Sequence, residues 1–158
     1  MSDAISQTDI DELIPASHIS LSEPPAEKDA CIEHLLDLLV DAGRVEDRQE
    51  ALDALLAREA ETTTGVGMGI GIPHAKTDAV SRPSLAFVRS EEGIDFGSMD
   101  DEPATLIFMI LVPESGGEEH LNILSSLSRA LMHDEVRERL HEADDERAVQ
   151  ETLREAIA

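Results

Sequence analysis

The chain has 158 residues, 41% of them hydrophobic, enough for one domain with a real core. Its single cysteine, Cys31, excludes a disulfide scaffold, and no CxxC spacing offers a structural zinc site. With 35 Asp and Glu against 12 Lys and Arg the net charge is −23, and only Lys28 and Lys76 are lysines, which speaks against nucleic acid as a partner. A charge this negative often accompanies disorder, but the apolar residues are too numerous and too periodic for that. Screening can tolerate the repulsion: the Debye length falls to ~3 Å at 1 M salt, so the acidic, lysine-poor composition points to a halophilic source. The N-terminus lacks a basic region followed by an apolar stretch, and no apolar run reaches the ~20 residues of a membrane span. A soluble cytoplasmic protein without membrane insertion is expected.

In chain order, residues 1–12 are polar and acidic and read as a flexible, frayed terminus, with the domain running over 13–158. Ile19 and Leu21 alternate with serines, a short strand stopped by Pro24 and Pro25. Ile32, Leu35, Leu36 and Leu39 recur at helical spacing and Gly43 suits the helix C-terminus. His34 lies off that stripe and reads as a solvated helix residue. A second helix carries Leu52, Leu55 and Leu56 and ends near Thr62 to Thr64. From Gly65 to Gly71 glycine alternates with Val66, Met68 and Ile70, the pattern of a strand with one bare face that admits close approach.

Residues 84–88 read as a further strand, and Ile94 with Phe96 as a short edge strand. The apolar run Thr105 to Val112, bounded by Pro103 and Pro113, is the pattern of a central strand covered on both faces. Leu124, Leu127 and Leu131 mark a following helix; Val136, Leu140, Val149, Leu153 and Ile157 mark inward positions of further helices. Strands and helices thus alternate. The expected fold class is α/β (α+β), a single compact domain whose central mixed sheet is covered by helices on both faces.

The four glycines do not spell a nucleotide-binding motif, since GxGxxG and GxxxxGK[ST] are both absent. His74 follows the glycine strand and is stiffened by Pro73; His120 sits in the first turn of the helix after the central strand, on its inward stripe. Both emerge at strand carboxyl ends, where α/β sheets gather function, and they can meet if their strands are neighbours. Spacing alone leaves open that they are two unrelated core or surface histidines. Glu59 continues the apolar stripe of the second helix beside Arg58, either as an ion pair at a fraying end or as a pair aimed into a site. Thr64 could offer its hydroxyl to a ring or phosphate, or serve a turn. Lys76 places a cation two residues from His74.

The string TTTGVGMGIGIPHAK, preceded by LLAREAE and followed by EEHLNILSSLSRAL, resembles the enzyme IIA domain of the fructose and mannitol type in the phosphoenolpyruvate-dependent sugar phosphotransferase system. The likeness runs from about Leu13 to the final helix near Leu153, as an ordered series of motifs. It implies that His74 is phosphorylated by the phosphocarrier protein HPr and that the group then passes to a cysteine of the cognate enzyme IIB, the membrane-borne IIC being a separate chain. Arg58, Thr64 and His120 match family positions around that histidine, and Glu59 matches the acidic residue of the RE pair. Gly71 departs from the alanine more usual before IPH, which should loosen the strand slightly. No cofactor or metal is required. A neutral imidazole is a competent nucleophile, and such a transfer asks the protein mainly to position groups and to stabilise oxygen charge, as Arg58, His120 and Thr64 could do. The alternatives are a regulatory phosphoacceptor resembling the nitrogen-type enzyme IIA, a metal-dependent hydrolase using His74, His120 and Glu59 or Asp78, and a pure interaction domain.

Overall fold

The computed structural model describes residues 7–157, the side chains at positions 7–9, 117, 119 and 120 excepted. After α1 (Gln7–Leu13) and a 3-10 turn (Ala16–His18) come β1 (Ile19–Ser20), α2 (Lys28–Asp41) and α3 (Arg48–Glu61). Then follow β2 (Gly65–Gly67), β3 (Ile70–Gly71), β4 (His74–Lys76), β5 (Ser84–Ile94) and β6 (Ala104–Val112). Helices α4 (Gly117–Leu131), α5 (Asp134–Glu142) and α6 (Glu146–Ile157) close the chain.

The strands form one mixed sheet in the order β1-β5-β6-β3-β2, with β4 also paired to β6. β6 runs antiparallel to β5 but parallel to both β3 and β4, which occupy successive stretches of its other edge. Side chains alternate across a strand, so β6 divides the core in two. Leu106, Phe108, Ile110 and Val112 join the cluster that includes α1, α4, α5 and α6, while Ile107, Met109 and Leu111 join the cluster of α2 and α3. Coverage on both faces is therefore as the apolar run requires. On the first face the Phe87 and Phe108 rings lie 4.6 Å apart between centroids, and truncating either to alanine would cost about 3–5 kcal/mol.

Local chemistry sets the helix limits. Gly43 (φ 78°) ends α2 in a Schellman arrangement, with Arg44 N donating to Leu39 O at 2.9 Å and Gly43 N to Val40 O at 3.0 Å. At the start of α3 the Asp47 carboxylate accepts from Glu50 N at 3.1 Å. The inward positions Val136, Leu140, Val149, Leu153 and Ile157 are all buried.

Several expectations need correction. Residues 7–12 belong to helix α1, which packs on α6 with Ile10 fully buried, so the polar start is not frayed there; positions 1–6 lie outside the described residues. A stretch with so few apolar residues hides the one that matters. The glycine run is not one strand but a hairpin, β2 and β3 joined through Gly67, Met68 and Gly69, all at positive φ. The bare face does admit close approach: a Cβ on Gly65 would fall 2.3 Å from Ser98 Oγ. Ile94 ends the long β5 rather than forming an edge strand with Phe96. His34 is only half-exposed, and its Nε2 is enclosed without a hydrogen-bond partner.

Candidate active site

Three segments converge near the carboxyl end of β6. The last turn of α3 carries Arg58 and Glu59; the chain then passes Thr64, turns through the hairpin and returns at His74, the first residue of β4, opposite Ile110 of β6. After β6 a short loop leads into α4, whose first turn contains His120. The backbone of His120 thus starts from the same end of the sheet, while its side chain lies outside the described residues.

His74 is 9% exposed, yet it lines an open cleft of about 570 Å³ together with Arg58, Lys76, Glu61, Glu114 and three alanines. The residue is therefore almost wholly enclosed by protein while bordering open space. Its Nδ1 lies 2.7 Å from Ile72 O, and a carbonyl can only accept, so Nδ1 carries the proton and the lone pair of the neutral ring is on Nε2. Burial pushes the imidazole below its ordinary value; the bond to Ile72 pulls it up, Arg58 pushes it down again and Glu59 raises it. The result is an oriented imidazole with its pKa held low, sharing the cleft lining with a guanidinium.

Glu59 takes the ion-pair alternative rather than the one aimed into the site, though with Lys28 of another helix, and Thr64 turns to it. Glu59 is not aimed into the cleft with Arg58: its Oε2 lies 2.6 Å from Lys28 Nζ and accepts from Thr64 N at 2.8 Å, and its Oε1 accepts from Thr64 Oγ1 at 2.5 Å. The Thr64 hydroxyl proton is thereby committed to the carboxylate rather than offered to a phosphate. With both oxygens engaged, Glu59 is also a poor metal ligand, and Asp78 Oδ1 accepts from Glu114 N at 3.1 Å. Arg58 Nη1 donates to Thr62 O at 3.1 Å, which holds one arm of the guanidinium while the residue lines the cleft. Sequence reasoning missed Lys28, whose partner lies on another helix, and Glu114. The Glu114 carboxyl is raised above its ordinary value, chiefly through its hydrogen bond with the Asp78 carboxylate.

Residues 12–156 match the family model described as phosphoenolpyruvate-dependent sugar phosphotransferase system, EIIA 2. The chain belongs to that family. This EIIA domain is 66% identical to the fructose-specific EIIA component of Haloferax volcanii over 95% of its own length and 97% of that protein's. Its fold superimposes on the nitrogen regulatory protein IIA-Ntr of Neisseria meningitidis with a TM-score of 0.85 and 33% identity, covering 91% of this chain and 98% of that one. It also matches Escherichia coli IIA mannitol, solved in complex with phosphorylated IIB mannitol, with a TM-score of 0.77 and 32% identity over 89% and 98% of the two chains. The EIIA domain is thus a phosphotransferase component. Among its described residues no helix is long and apolar enough to cross a membrane.

Proposed function

We propose that this EIIA domain is the fructose-specific phosphocarrier of a sugar phosphotransferase system, working in the cytoplasm between HPr and the EIIB domain of a fructose permease. His74 Nε2 attacks the phosphorus of the donor's phosphohistidine; the new N–P bond forms as the donor's breaks, and the donor ring keeps the released electron pair. In the second step an EIIB cysteine thiolate attacks the same phosphorus and the Nε2–P electron pair returns to the His74 ring. Arg58 supplies a planar donor fork for the equatorial oxygens, Lys76 adds charge at the cleft, and His120 is assigned to the same task by the family motif.

The observation that carries this reading is the His74 ring itself, pinned through Nδ1 to Ile72 O and lining a cleft with Arg58. Fructose is favoured over a nitrogen-type regulatory role by identity, 66% to the fructose-specific component against 33% to the nitrogen regulatory protein. The test is incubation with phosphoenolpyruvate, enzyme I and HPr in high salt, followed by assay of acid-labile, base-stable phosphate. One phosphate per chain is expected, and none in His74→Ala; labelling that persists in that variant rejects the site.

A further inference from the structure

We propose that Lys28, Glu59 and Thr64 form a hydrogen-bonded relay that positions the His74 ring and holds it in the tautomer with its lone pair on Nε2, making Lys28 a positioning residue for phosphoryl transfer. The proposal rests on the reading of His74 as the phosphate acceptor. None of the three is among the described residues lining the cleft, so they act through the backbone that carries the histidine.

The chain of contacts is continuous. Lys28 Nζ pairs with Glu59 Oε2 at 2.6 Å, and Glu59 takes both donors of Thr64, the amide at 2.8 Å and the hydroxyl at 2.5 Å. Thr64 O then accepts from Ile72 N at 2.9 Å, and Ile72 O accepts from His74 Nδ1 at 2.7 Å. The residue whose carbonyl sets the tautomer is therefore anchored, through its own amide, from the other side of the hairpin.

Glu59 is the point where this can fail. Its side chain is 7% exposed, and a carboxylate so enclosed is held in place by a counter-charge while it accepts two hydrogen bonds. Lys28 supplies that charge, and is itself held in place, with Nζ 3.4 Å from Phe96 O and 5.3 Å from the centroid of the buried Phe96 ring. Without Lys28 the carboxylate loses its counter-charge, turns toward solvent and releases a Thr64 donor. The hairpin then no longer presents the Ile72 carbonyl at a fixed angle, and the ring can carry its proton on either nitrogen.

The experiment compares Lys28→Met, Lys28→Arg and Glu59→Gln with the wild type, using two-bond proton–nitrogen correlation of the His74 ring and kcat and KM for phosphate uptake from phospho-HPr. The expected result is a protonated Nδ1 and an unprotonated Nε2 in the wild type and in Lys28→Arg. In Lys28→Met and Glu59→Gln the nitrogen shifts should average toward mixed tautomers, with kcat lower by about tenfold, the lower end of what loss of an orienting partner costs, and KM nearly unchanged. Thermal unfolding separates a merely structural role: lowered stability with wild-type nitrogen shifts and kcat overturns the relay. Should the wild type take no phosphate on His74, the phosphocarrier reading fails, while the ring shifts of the unphosphorylated variants still decide the relay.

Discussion

His74 shows how a single side chain can be tuned by what surrounds it. An imidazole in water is partly protonated near neutral pH and shares its proton between two nitrogens. Here burial disfavours the cation, and the Ile72 carbonyl assigns the remaining proton to Nδ1. Because the ring titrates below its ordinary 6.5, phosphate uptake should stay level as pH falls through that value and decline only further down. A half-maximal rate above pH 6.5 would contradict the assignment. Stability follows the same sign. His18 and His141 are also lowered, both chiefly by burial, so below 6.5 the unfolded chain binds more protons than the native one. Their contribution is complete above that pH and is lost as acid carries the solution down toward the native values.

At the scale of elements, α1 and the glycine hairpin illustrate two different reasons why local patterns mislead. Helix α1 has a polar sequence, but it is tied down at several points. Ile10 and Ile14 are fully buried, Gln150 Nε2 donates to Ile14 O at 2.9 Å, Arg154 pairs with Asp11, and the Arg44 guanidinium reaches Glu12 O. Ile10→Ala should therefore destabilise the protein by about 2–5 kcal/mol in urea unfolding, the range for a large-to-small change in a packed core. A cost near zero would return the segment to the frayed state its composition suggests. The hairpin brings Thr64 back beside Ile72, so the same glycines that break the strand also join Glu59 to the histidine. A continuous strand through Gly65 to Gly71 would have separated those two residues along its length.

For the whole molecule the governing quantity is a net charge of −23. Among the described residues six ion pairs are present, mostly exposed, and each such pair contributes only about 0–1 kcal/mol. Salt weakens those pairs but also screens a much larger excess of carboxylates, with a Debye length that shrinks from ~10 Å at 0.1 M to ~3 Å at 1 M. Repulsion is the larger effect, so the thermal midpoint should rise steadily with KCl from 0.1 M into the molar range, about as expected for a protein adapted to concentrated salt. A midpoint independent of KCl would mean that the surface charges are already compensated by pairing. The same field bears on the proposed function, because it would oppose a phosphate at His74 were Arg58 and Lys76 not in the cleft.

The amino-acid sequence by itself determined the central strand, the helical stripes, the two-faced sheet and the chain's family, because hydrophobic periodicity and ordered motifs are local properties that survive without coordinates. His74 could be proposed for the same reason, standing in a motif. Which way Glu59 points, whether Thr64 donates to a phosphate or to a carboxylate, how the glycine run folds back, and that Lys28 belongs with them were decided only by tertiary structure. Each depends on a partner far away in the chain, and glycine's equal access to both signs of φ leaves the path between those partners to packing rather than to local preference.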